Sequence, residues 1–332
     1  MPPLAGSAPH QRWFSLPPLF DPETGVTVLE PLDTGPGWWV GACSALYDDA
    51  VGRFYLYYRY RKPRELGRGV RCCIAESADG RSFTPIWSAT QQEIGTSSME
   101  RAALAKTPEG EWRLYLSYVD PEDNRWRTDV MRAPSPAAFD VGHRQKVFTA
   151  SDIGVEGVKD PVVSIVGGVY YMLLSYAPAP RAPSVPEHER MHATGDVYNT
   201  GITKSHTGLA LSADGIAFEW VGDVFAPQEA GWDAYAARIG CLLWLPPAWL
   251  AFYDGSASVQ ENYEERTGLA ISTDLRRFVR ATPDGPLLTS PHGSGSLRYL
   301  DAFVLGDEVW CYYEYARPDG SHELRLNVCP VG

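Results

Sequence analysis

The stretch Phe54–Phe83 reads FYLYYRYRKPRELGRGVRCCIAESADGRSF. It opens on an aromatic run, Phe54–Tyr58, with the composition of a strand that packs on both faces. A second apolar run, Ile74–Glu76, stops at Ser77-Ala-Asp-Gly80, where Asp can cap the turn backbone and Gly can supply a positive φ. Phe83 then begins an outer strand. This module decides the fold because it recurs. The aromatic run returns as Trp112–Tyr118 (WRLYLSY), Val169–Tyr176 (VYYMLLSY), Trp249–Tyr253 (WLAFY) and Val309–Tyr315 (VWCYYEY). The Ser-x-Asp turn returns in Leu209–Gly215, followed by Phe218, and in Leu269–Asp274, followed by Phe278. A strand of small residues precedes each aromatic run, at Val40–Leu46, Ala102–Ala105, Pro161–Val166, Ala236–Leu243 and Leu300–Leu305.

Taking Trp39, Glu100, Asp160, Asp233 and Arg298 as equivalent positions gives units of roughly 60 to 73 residues, longer than the WD40 and kelch periods. A sheet module that cannot bury both faces alone, repeated five times, predicts an all-β fold, a five-bladed β-propeller. The blades fall near 38–98, 99–157, 158–230, 231–290 and 291–332 of a single domain spanning 1–332. The Pro-rich, then polar, segment 177–206 interrupts the third blade; it is expected to be a lid or binding loop, or a mobile surface loop. The Ser-x-Asp-Gly turns differ from the Asp box of sialidases, which has a residue between Asp and Gly, and they read as structural.

Composition narrows the function. The 332 residues are 44% hydrophobic and 21% charged, enough apolar material for a substantial core. Gly (31) and Pro (27) suit short strands and turns, not long helices. A net charge of −12 with no basic stripe excludes a nucleic-acid partner. No run reaches the roughly 18 apolar residues of a membrane span, and Met1–His10 lacks the pattern of a leader, so a cytoplasmic protein without a membrane partner is expected. Cys43, Cys72, Cys73, Cys241, Cys311 and Cys329 sit in strand-like runs without zinc-type spacing and read as free core thiols.

The repeats resemble the five-bladed propeller glycosidases, in particular the mannoside phosphorylase and β-mannosidase families and, more distantly, the arabinanase and β-xylosidase families. The first unit, FYLYYRYR then CIAESADGRSF, looks like their first blade. In the fourth, Trp232-Asp-Ala-Tyr-Ala-Ala-Arg-Ile-Gly240, Pro246-Pro247 and Trp249–Gly255 resemble the corresponding family stretch. Gly285-Pro-Leu-Leu-Thr-Ser-Pro291 resembles the approach to the last blade. Two positions depart from the pattern. Ser98-Met-Glu-Arg101 stands where those families carry Glu-Asp-Pro-Arg, and Gly41-Ala-Cys-Ser44 stands where they carry Asn-Pro or Asp-Pro. Lys159-Asp160 is similar to their third-blade pair.

Innermost strands of a propeller converge, so Glu100, Asp160 and Asp233 are expected to share a pocket and supply the paired carboxylates of glycoside cleavage. Glu100 is expected to be the acid, with Asp160 or Asp233 as the second carboxylate. Arg59, Arg101, Lys159, Arg238 and Arg298 form a basic set suited to orienting a small carbohydrate or sugar-like substrate, an anionic one included. Trp39, Tyr235 and Tyr299 are candidates for stacking on a sugar ring, and His292 for the pocket mouth. The histidines are read as giving no transition-metal ligand set, and neither a metal nor a cofactor is expected. Two alternatives stay open: elimination or rearrangement on the same scaffold, and a non-catalytic sugar-binding propeller.

Overall fold

The aromatic runs become the second strands of antiparallel meanders, and the small-residue runs become the first strands. The computed structural model describes residues 19–331; Met1–His10, read for a leader, lies outside them. After β1 (Val26–Leu29), the chain forms β2 (Trp39–Asp48), β3 (Arg53–Arg61), β4 (Gly69–Ser77) and β5 (Thr84–Thr90), hydrogen-bonded in that order. The same order recurs in β6 (Met99–Lys106), β7 (Trp112–Val119), β8 (Trp126–Ala133) and β9 (Gln145–Phe148). It recurs again in β10 (Val155–Val166), β11 (Val169–Pro178), β12 (His206–Ser212) and β13 (Glu219–Phe225). Next come β14 (Ala236–Leu245), β15 (Ala248–Ser256), β16 (Arg266–Ser272) and the two-residue β17 (Val279–Arg280). Then follow β18 (Leu297–Leu305), β19 (Glu308–Ala316) and β20 (His322–Pro330), whose outer edge is covered by β1 from the other end of the chain. The fold is all-β, and the α-helices among the described residues are short: α1 (Gln91–Ile94) and α2 (Val185–Ala193).

The cores lie between meanders, because each sheet is apolar on both faces and needs a neighbour on each side. Tyr57, Cys72 and Ile74 share a core with Leu104, Leu114 and Leu116. Tyr115 and Val130 pack with Met172 and Leu174, and Leu173 and Leu209 with Ile239 and Tyr253. Phe252 and Leu269 pack with Leu300 and Tyr313, and Trp310 and Tyr312 return to Leu56 and Ala75. Single parallel residue pairs, Arg266 with Leu297 and Trp39 with His322, fuse three meanders into one continuous sheet. All six cysteines are buried and free. No helix among the described residues is long and apolar enough to cross a membrane.

The Ser-x-Asp turns close on themselves. Asp79 Oδ1 accepts from Ser77 Oγ (2.8 Å), Arg81 N (2.9 Å) and Ser82 N (2.8 Å), and Asp214 and Asp274 repeat the pattern. They make the reversals from the third strands of their meanders toward the outer ones.

Close approach between meanders also constrains single positions. A Cβ added at Gly69, which opens β4, would lie 2.0 Å from the backbone oxygen of Met99 in β6. Gly69→Ala should therefore cost about 1–3 kcal/mol, read as a lower urea midpoint; an unchanged midpoint would show that the two strands do not meet there.

Candidate active site

Every first strand breaks register at one equivalent place: Gly41/Ser44 in β2, Met99/Ala102 in β6, Lys159/Val162 in β10, Ile239/Cys241 in β14 and Arg298/Asp301 in β18. A bulge inserts unpaired backbone and re-aims neighbouring side chains. Three of these carry a non-glycine residue at positive φ: Ala42 (52°), Asp160 (53°) and Tyr299 (50°). Such backbone costs on the order of 1–3 kcal/mol per residue and clusters at functional sites.

Around these bulges the charged side chains form a buried ring. Glu100 Oε2 accepts from Arg59 Nε (2.8 Å), and Arg59 Nη1 lies 3.8 Å from Glu314 Oε2. Glu314 Oε1 accepts from Arg298 Nη2 (2.7 Å), and Arg298 Nη1 donates to Glu265 Oε2 (2.8 Å). Arg238 closes on the other oxygen of Glu265. His322 bridges Glu314 (2.9 Å) and Glu264 (3.1 Å). The Tyr299 hydroxyl lies 3.4 Å from Glu100 Oε2, and its backbone N–H donates to both oxygens of Asp254. Beside the ring Lys159 Nζ lies 3.2 Å from Asp160 Oδ2. Arg59, Arg61, Glu100, Lys159, Asp160, Arg238, Glu265, Arg298 and Glu314 are each at most 4% exposed.

Burial alone would push the Glu100 carboxyl up, but Arg59, Lys159, Arg61 and Arg298 hold it well below the usual carboxylate range. Glu314, equally buried, is held at about 2 by Arg298, Arg59 and His322. Asp254 goes the other way: burial outweighs Arg238 and Arg298 and raises it to about 6. Arg61 is sandwiched between Trp39 (4.3 Å) and Tyr263 (4.1 Å), and burial, with Arg59 and Arg298 nearby, lowers it to about 9.

The ring is not saturated. Arg59 Nη1 and Nη2, Arg61 Nε and Nη1, Arg238 Nε, Glu314 Oε2 and both carboxylate oxygens of Asp160 have no hydrogen-bond partner. Buried polar atoms left unpaired cost about 1–3 kcal/mol each, so their concentration at the bulges makes this the candidate ligand site.

The structure brings together Trp39, Arg59, Glu100, Arg298 and Tyr299, with Lys159, Asp160 and Arg238 beside them. Trp39 stacks on His322 at 4.3 Å and lies under the Arg298 guanidinium at 4.8 Å. Asp233 keeps separate company: it accepts from Gln228 (2.7 Å), Tyr253 (3.2 Å) and Arg280 (2.7 Å). Arg101 points away from Glu100, its neighbour in β6, toward Asp301 (3.4 Å), and lines a cavity of about 310 Å³ walled by the later halves of the first strands. The Tyr235 hydroxyl donates to Tyr198 O (2.6 Å), anchoring the insertion. His292 pairs with Glu23 (3.1 Å) and leans on Tyr315, outside the ring.

Sequence reasoning missed Arg61, Asp254, Glu265, Glu314 and His322. Glu314 had a signal, an acid inside the aromatic run VWCYYEY, the same argument that singled out Glu100. A Cβ at Gly41 would lie 2.1 Å from Glu314 Oε2, so the Gly41 that departs from the family pattern leaves the space this carboxylate fills. Glu265 and His322 had none.

No family model matches the chain, and no curated protein matches it. Solved structures do match in fold. A glycosyl hydrolase from Bacteroides ovatus superposes with a TM-score of 0.63 at 15% identity, over 96% of this chain and 98% of that one. The β-1,2-mannobiose phosphorylase of Listeria innocua, in complex with β-1,2-mannobiose, gives 0.62 at 14% identity, over 92% and 94%. A further glycoside hydrolase gives 0.68 at 11%, over 98% and 95%. The chain has the propeller-type fold of glycoside hydrolases and mannoside phosphorylases.

Glu314 provides a test of the ring. Its folded value near 2 lies below the unfolded value of about 4.3, so its contribution, about 3 kcal/mol, is present above pH 4.3 and is lost as the pH falls toward 2. Glu314→Gln should lower stability by about that amount at pH 7, and urea unfolding at pH 3 should show a smaller gap. A gap independent of pH would overturn the ion-pair account.

Proposed function

We propose that this chain is a carbohydrate-active enzyme that cleaves a glycosidic bond of a small saccharide or glycoside, with its meanders as the five blades of a propeller and the blade limits given above. The observation that carries the reading is the set of buried donors and acceptors without partners at the bulges. A sugar ring presents hydroxyls that both donate and accept from one rigid body, so it can satisfy arginine N–H groups and carboxylate oxygens together. Aromatic surfaces at Trp39 and Tyr299 beside these groups support the same ligand. The fold shared with glycoside hydrolases and phosphorylases raises the prior without assigning the chemistry.

The electrostatics favour an exchange of roles relative to the sequence expectation. A carboxyl held ionised by four cations is a poor proton donor at neutral pH, so Glu100 suits stabilising the positive charge that develops on the sugar. The Asp160 carboxylate accepts no hydrogen bond and has one cation, Lys159 (3.2 Å), against it where Glu100 faces four, so it is the less tied of the two acids and is assigned the proton exchange with the glycosidic oxygen. Burial, reinforced by the field of Asp160 and Glu100, raises the Tyr299 phenol well above its ordinary value and keeps it a hydrogen-bond donor. Asp233, tied to Arg280, suits a supporting role at the start of β14. The open N–H groups of Arg59 and Arg61 favour an anionic group, either on the sugar or as inorganic phosphate acting as co-substrate.

The test is a panel of activated aryl glycosides and small disaccharides, neutral and uronate-bearing, assayed with and without phosphate. Asp160→Asn should lower turnover at least about a hundredfold while the circular dichroism stays unchanged, and Glu100→Gln should also impair it. Full activity in a folded Asp160→Asn protein would overturn the assignment. Sugar binding without turnover across the panel would favour a binding propeller.

A further inference from the structure

The insertion between β11 and β12 carries a feature the glycoside reading does not use. Residues 188–192 read His-Glu-Arg-Met-His, and they lie within α2. Histidines four apart on a helix project from one face, the spacing with which a His-Glu-x-x-His helix grips a transition metal. The sequence expectation that no His-x-x-x-His cluster argues for a transition metal is corrected by the residues themselves, since 188 and 192 have that spacing. As a helix, the segment puts the two imidazoles 4.6 Å apart, centroid to centroid, at 71°.

A third ligand comes from outside the insertion. Glu156, buried near the start of β10, places Oε2 2.7 Å from His192 Nε2. One ligand atom each from Glu156, His188 and His192 lies within 4.8 Å of the other two. Tetrahedral zinc with bonds of about 2.0–2.2 Å needs ligand atoms about 3.4 Å apart, so the ion would part the 2.7 Å contact between Glu156 and His192 by well under 1 Å while exposed His188 rotates toward it. Two imidazoles and one carboxylate form a recognised ligand set for zinc, while calcium and magnesium prefer all-oxygen shells.

The helix is held in place independently of any ion. Ser184 and Glu187 form a capping box at its start, Met191 is buried with Val119, Trp126 and Tyr198, and Asn124 donates to the backbone oxygen of His192. Just beyond it, Asp196 meets Arg68 (3.3 Å), the indole of Trp126 (3.2 Å) and the Tyr263 hydroxyl. Lys159 lies over Trp126 and Tyr198. Glu156 and Lys159 share β10, so an ion joining Glu156 to α2 would tie the insertion to the strand that carries Lys159 and Asp160.

We propose that Glu156, His188 and His192 form a zinc-type divalent metal site that staples the insertion onto β10 beside the candidate active site. No reaction is assigned to the metal. The full-length protein, stripped with chelator and dialysed, is titrated with Zn²⁺ by calorimetry, with Mg²⁺ and Ca²⁺ as controls. One Zn²⁺ per chain should bind, Mg²⁺ and Ca²⁺ should not, and saturating Zn²⁺ should raise the melting temperature by a few degrees. Zn²⁺ should also slow proteolysis within 178–196. His188→Ala, at an exposed position, and Glu156→Gln should each weaken Zn²⁺ binding at least about tenfold with circular dichroism unchanged. Failure to bind Zn²⁺ at 1:1, or equal binding in both folded variants, would overturn the site. Binding without protection of 178–196 would overturn the staple.

Discussion

The Arg59 guanidinium, lying between Glu100 and Glu314, is the contact on which the candidate site turns. It joins β3 to β6 and to β19, three strands from different meanders, in a place water does not reach. An isolated charge there would cost several kcal/mol, so each group is tolerable only because the next one is present. Removing one member strands the others, which makes the ring cooperative by construction. The bulges set which side chains face the ring, because an extra residue shifts the register and re-aims the side chains on either side of it. Placing Glu100 in the ring while Arg101 turns to Asp301 divides two adjacent charged residues between two environments.

The ring also sets what the site can do. Glu100 and Glu314 are locked in their ionised forms, whereas Asp254 sits near 6 because burial outweighs its cations. Carboxyl groups with values pushed apart are what separates fixed charges from proton carriers. The aromatic neighbours add to this. Trp39 and Tyr263 flank Arg61 and screen it from water without neutralising it, leaving a cation whose N–H groups are open to a ligand. Such an arrangement is unfavourable for stability alone, and the cores between meanders, rich in Tyr, Trp and Leu, offset it.

The insertion packs beside the candidate site through Tyr263, the residue that stacks on Arg61. Asp196 gathers Arg68, Trp126 and Tyr263 from three parts of the chain, and Tyr235 fixes Tyr198 through its backbone oxygen. A segment that looks loop-like in composition is thus tied by specific polar contacts to residues at or just before the starts of β4, β8, β14 and β16. Its helix, by standing over β10, brings Glu156 within reach of His192 and makes a ligand cluster from residues far apart in the chain.

The sequence by itself determined the secondary structure of the meanders, since aromatic and small-residue strands and Ser-x-Asp turns are local signals set by backbone preference and burial. It also marked Glu100, Lys159, Asp160 and Arg298, because charged residues at the head of apolar strands are costly without partners. It did not reveal the partners. Glu314 and His322 reach the ring because β19 and β20 lie beside β18 and β2 in space, and Glu265 because it stands just before β16, which touches β18. The His188–His192 spacing stands in the sequence, but Glu156 joins it only because the insertion folds against Trp126 and Tyr198. Nor did it separate Asp233 from Asp160, as both open apolar strands. Which of two adjacent charges faces the ring is fixed by a one-residue bulge, and a bulge is set by how neighbouring strands register in three dimensions.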